Sequence, residues 1–155
     1  MGLFRNLKNM VTGDSAEVVL DVNNPGLGRP FPIRISATIG QDDCKIQKVY
    51  LRIVAEENVR VPDIHVAERF GEEVRISTQT VSTTTITYDA TIDIASAQVL
   101  KAEQQYQWEA EITIPDEALP SYQGPNAQHL WKLLAGLDVR GNDPDSDWLL
   151  VDMHY

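Results

Sequence analysis

Long stretches of this chain alternate apolar and polar residues with a period of two. Phe31, Ile33, Ile35, Ala37 and Ile39 stand against Arg34, Ser36 and Thr38. Val49, Leu51, Ile53 and Ala55 stand against Tyr50, Arg52 and Val54. Tyr106, Trp108, Ala110, Ile112 and Ile114 alternate with Gln107, Glu109, Glu111 and Thr113. Trp131, Leu133, Ala135, Leu137 and Val139 share one face, opposite Lys132, Asp138 and Arg140. Side chains leave a strand on alternate faces, so each run predicts a strand with one buried side.

Weaker signals fill the intervals. Glu17–Val22 predicts a short strand before the breaker Asn23–Pro30. That breaker holds two glycines but leads into a strand, so it predicts a turn and no phosphate loop. Gly40–Asp43 predicts a turn before a strand over Cys44–Ala55. Glu56–Gly71 carries Pro62 and Gly71 and predicts only a short edge strand around Asn58–Val61. Val74–Val81 and Thr84–Ile94 predict a hairpin turning at Ser82-Thr83, with Ile86, Tyr88, Ala90, Ile92 and Ile94 inward. Its many threonines are β-branched and suit an exposed strand face. Ser96–Gln105 has a brief patch of helical propensity, Pro115 ends a strand, and Trp148–His154 predicts the last one.

Only residues 1–13 repeat at helical steps, with Leu3, Phe4, Leu7, Met10 and Val11 on one stripe and Gly13 as the stop. The expected architecture is this short helix followed by one β-sandwich domain over 14–155. Roughly eight short strands with frequent turns and no crossover helix make an antiparallel β-sandwich.

Composition narrows the function. Thirteen Lys+Arg against 23 Asp+Glu give a net charge of −10. Such a chain is poorly suited to nucleic acid, which needs clustered cations. The single cysteine, Cys44, allows no internal disulfide and suits a reducing cytoplasm. No apolar run approaches the length of a membrane span. The Arg and Lys flanking the 1–13 stripe leave open an interfacial membrane anchor, beside the plainer reading of a cap on the domain.

Catalytic spacing is missing. The three histidines lie far apart and the sequence has no HExxH, CxxC or GxSxG, so neither a catalytic centre nor a cofactor is expected. The acidic turn Asn142–Asp147 is the candidate metal site, with Asp143, Asp145 and Asp147 spaced to wrap a hard cation such as Ca²⁺. It departs from a calcium-loop pattern in having Trp148 and His154 where Gly and Glu belong. The plainer reading is a solvated turn. Trp108 and Trp131 are expected in the core. Trp148 opens the last strand, where core is the simpler placement and a binding anchor the alternative.

Three features carry a family resemblance. Ile112-Thr113-Ile114-Pro115 leads into Leu119-Pro120-Ser121-Tyr122-Gln123-Gly124. The Trp131 strand ends Gly136-Leu137-Asp138-Val139. Asp143-Pro144 and Asp147 precede a terminal strand. In this order they resemble the arrestin-like superfamily, and within it the bacterial sporulation-control family. The resemblance implies an immunoglobulin-like sandwich that binds other proteins and has no catalytic centre. The expected mode is docking on a sheet edge or sandwich face, with Trp148, Leu150 and Asp152 of the terminal strand as contact residues and a homodimer as one outcome.

Overall fold

The computed structural model describes residues 15–155. Its strands are β1 (Ala16–Val22), β2 (Phe31–Ile39), β3 (Cys44–Ile46), β4 (Val49–Phe70), β5 (Glu73–Ala95), β6 (Gln98–Leu100), β7 (Gln105–Ile112), β8 (Tyr122–Gln123), β9 (Ala127–Leu137) and β10 (Leu149–Val151). One sheet has the order β1-β2-β7 and the other β10-β9-β4-β5, with β8 added on β9. A two-stranded piece, β3-β6, stands apart from both. Every pairing between named strands is antiparallel. The all-β sandwich expected from the periodicity is what forms. The helix expected over 1–13 lies outside the described residues.

The core is the space between the two sheets. Val18, Leu20, Phe31, Ile33, Ile35 and Ile112 enter from the smaller sheet. Val49, Leu51, Ile53, Trp131, Leu133 and Leu137 enter from the larger one. Apart from Val18 and Leu20 of β1, whose facing was not assigned, these are the residues that the period of two placed inward, because one face of each strand must leave water. Trp131 is fully buried, whereas Trp108 is only half-buried because β7 is an edge strand.

Four local expectations are corrected. The hairpin does not turn at Ser82-Thr83. Phe70 pairs with Glu73, so the turn is Gly71-Glu72, and Gly71 takes φ 65°. A tight two-residue turn needs positive φ, which glycine adopts without a Cβ clash and Ser82 or Thr83 would not. Asn58–Val61 is no short edge strand but the middle of β4. That strand continues past Pro62 by a bulge at Pro62-Asp63, where Asp63 takes φ 57°. Ile86 does not face inward. Ala55 pairs with Tyr88 but Glu56 with Ile86, so Thr87 is bulged and Ile86 moves to the outer face. The patch of helical propensity forms β6, which pairs with Cys44–Ile46.

The corrected hairpin has a consequence for shape. β9 accompanies β4 only as far as Val59. Beyond it, β4 and β5 form a two-stranded ribbon whose β5 residues are exposed on both faces.

Candidate functional site

Two loops and one edge strand gather on β9, and the sequence explains each. The first loop is Leu119–Gly124. Trp131 donates its indole N–H to the Leu119 carbonyl at 2.8 Å. The Pro120 carbonyl accepts from His129 Nδ1 at 2.9 Å, and His129 Nε2 lies 2.6 Å from Thr87 Oγ1. Ser121 closes the loop onto the chain end: its N–H donates to the Met153 carbonyl at 2.8 Å, and its Oγ accepts from the Met153 N–H at 2.9 Å. Tyr122 stacks on His129 and donates its hydroxyl to Glu57. That bond to a carboxylate pushes the Tyr122 phenol up from its usual range. The Pro-Ser-Tyr-Gln-Gly turn is therefore a lid, held by side chains from the inner face of the larger sheet.

The second loop is the acidic turn. Asp143 Oδ2 accepts from the Tyr50 hydroxyl at 3.0 Å and Oδ1 from the Val139 N–H at 3.0 Å. Asp145 Oδ1 accepts from the Asp147 N–H at 2.9 Å. Tyr50 is paired with Gly136, and a Cβ on Gly136 would collide with the Tyr50 ring. The glycine lets the ring lie across the strand and reach the turn. Burial, then the Asp143 bond, pushes the Tyr50 phenol up to about 12. The turn does not gather Asp143, Asp145 and Asp147 into a ligand set, and no cluster of three His, Cys, Asp or Glu suited to a metal occurs among the described residues. The Asp143 carboxylate instead ties the turn to Tyr50 and Val139, and the Asp145 carboxylate accepts from the Asp147 N–H within it.

The third element is β10, the terminal strand of the larger sheet. It pairs with β9 over only three residues, Leu149 to Val151 against Leu133 to Trp131. Its outward residues are the ones singled out in the sequence. Leu150 is 64% exposed and Asp152 is exposed. Trp148 is not core: it is 40% exposed. Arg52 and Lys132 sit over its ring at 5.7 and 4.9 Å. These cations hold the indole against the sheet by attraction to its π face, so it packs flat without entering the core. Both cations are also paired, Arg52 with Asp89 and Lys132 with Glu56. β8 and β10 leave Leu130 between them on β9, and there a cleft of about 440 Å³ opens, lined by Tyr122, His129, Leu150 and Asp152 among others.

By sequence His129 counts only as one of three scattered histidines, with His65 and His154, although it lies two positions before Trp131 on the same alternating face. That parity was the available signal. Among the described residues no helix is long and apolar enough to cross a membrane.

Two packed antiparallel sheets, closed by this lid and turn, have the arrestin-like fold. Among solved structures the chain is similar to Spo0M, the sporulation control protein from Bacillus subtilis, with TM-score 0.60 and 12% identity. The match covers 92% of this chain and 50% of that one, so the chain spans about half the length of its solved neighbour. The fold expected from the sequence resemblance is thereby borne out. No protein-family model matches the chain, and no curated protein matches its sequence.

Proposed function

We propose that this chain is a non-catalytic adaptor or regulatory module that takes a protein partner at the β10 edge. One observation carries the reading. The short edge strand presents Trp148 and Leu150 to solvent on one face, beside a cleft in the sheet edge. A tryptophan held flat by two paired cations loses little conformational freedom when it is covered, which is what an interface anchor requires. The two cations over its ring are already neutralised in pairs, so covering the indole buries no unpaired cation. The backbone of β10 offers a further edge to an extended segment of the partner. The regulatory part of the reading draws on the likeness to a protein described as a sporulation control protein.

The test is affinity capture from the source cells with wild-type protein, Trp148→Ala and Leu150→Asp. Both variants should fold, because both side chains are substantially exposed. The proposal expects a partner set that wild type retains and both variants lose. Equal retention by all three proteins would remove the β10 edge from consideration.

A further inference from the structure

The ribbon formed by β4 and β5 has one guarded edge and one unguarded edge. On β4, residues 60–70 carry Arg60, Pro62, Asp63, Glu68 and Arg69, together with the Pro62-Asp63 bulge. Charges, proline and bulges are the usual devices that stop a sheet edge from recruiting another strand. On β5, residues 76–86 carry no charge, no proline and no glycine. Nothing described pairs with the outer side of β5, which ends its sheet.

That unguarded stretch is nearly palindromic in chemistry. It reads Ile76-Ser77-Thr78-Gln79-Thr80-Val81-Ser82-Thr83-Thr84-Thr85-Ile86. About Val81, isoleucine mirrors isoleucine, and every position between mirrors one polar residue with another. The three apolar members are all exposed: Ile76 at 72%, Val81 at 47% and Ile86 at 53%.

We propose that the partner of this edge is a second copy of the same chain, paired antiparallel β5 to β5 with its two-fold axis at Val81. In that register Ile76 faces Ile86 of the other copy at both ends of the seam. Thr78 faces Thr84 and Thr80 faces Ser82, pairs that stabilise a sheet by side-chain contact. Because Val61 pairs with Val81 within each copy, a row of four valines crosses the joined ribbon. The pairing is isologous and closed: each copy uses its only unguarded ribbon edge and presents the guarded β4 edge outward. A two-stranded ribbon is marginal alone, and the dimer makes it four-stranded.

Charge favours the same place. The chain carries −10, so two copies repel. Residues 60–82 hold three arginines and four carboxylates, which leaves them close to neutral. The bulge at Thr87 ends the seam just past Ile86. The seam is about 34 Å long, at 3.4 Å per residue, and about 10 Å deep. Its area of roughly 700 Å² over both copies is below the ~1,200 Å² of stable complexes, so the dimer is weak and concentration-dependent.

The experiment uses single cysteines in the full chain, where the native Cys44 is buried. Val81→Cys sits on the two-fold axis and places its thiol against its own copy. Thr78→Cys is offset by six positions, about 20 Å, and serves as the control. Under a mild thiol oxidant, Val81→Cys should form a covalent dimer at least about tenfold faster than Thr78→Cys, since only the former brings Cα atoms within disulfide range. Sedimentation of the wild type should show reversible dimerisation that Val81→Lys abolishes without changing the circular dichroism spectrum. Equal cross-linking of the two cysteine variants, or a wild-type monomer at ~1 mM, overturns the proposal.

Discussion

Single residues explain why the familiar motifs have the letters they have. Trp131 is large enough to fill the core and polar enough at one atom to hold Leu119, which couples packing to the lid. Trp131→Phe keeps most of the volume and deletes the donor. It should cost about 1–3 kcal/mol, because the Leu119 carbonyl loses a buried partner, and urea denaturation would measure it. Gly136 is needed for the Tyr50 ring above it. Gly136→Ala should displace that ring, break the Tyr50–Asp143 bond and destabilise by about 1–3 kcal/mol. Tyr50 also makes stability depend on alkaline pH. Its phenol is raised from 10.0 to about 12, so the folded state holds the proton more tightly than the unfolded chain. Its contribution is therefore full below pH 10 and lost as pH rises through 12. Denaturation midpoints across that window should fall less steeply in Tyr50→Phe than in wild type.

At the scale of elements, what could be read depended on whether a second sheet lay beneath the strand. β2 and β9 have one buried and one solvated face, and their alternation gave the inward residues correctly from Phe31 to Ile39 and from Trp131 to Leu137. The ribbon lies under nothing, so its pattern carried no information about facing, and the turn was misplaced by some ten residues. Gly71 was visible in the sequence, but Pro62 made the preceding stretch look broken, although a bulge absorbs it. The displaced parity at Ile86 had the same kind of cause. At that bulge Thr87 meets His129, a contact between strands far apart in sequence. Because the ribbon adds nothing to the core, excising residues 62–80 and rejoining the strands with a tight turn should leave the core's thermal unfolding temperature nearly unchanged. A large drop would show that the ribbon supports the sandwich.

At the scale of the molecule, the fold was legible because β-sandwiches are specified by many repeated local alternations, and those were clear. The site was legible in part. Trp148, Leu150 and Asp152 could be placed on a terminal strand from sequence, but exposure depends on what packs against that strand. The seat of Trp148 under Arg52 and Lys132 joins the residue before β10 to residues of β4 and β9, and no local pattern encodes it. The acidic turn shows the converse: its spacing suited a cation, and tertiary contacts with Tyr50 and Val139 gave Asp143 a structural task. The proposed adaptor role rests on the β10 edge, and the most direct measurement is quantitative capture of protein partners by wild type and Leu150→Asp at matched concentration and matched melting temperature. The account predicts that at least one partner bound by wild type is lost from Leu150→Asp. An identical partner profile for the two proteins would contradict it.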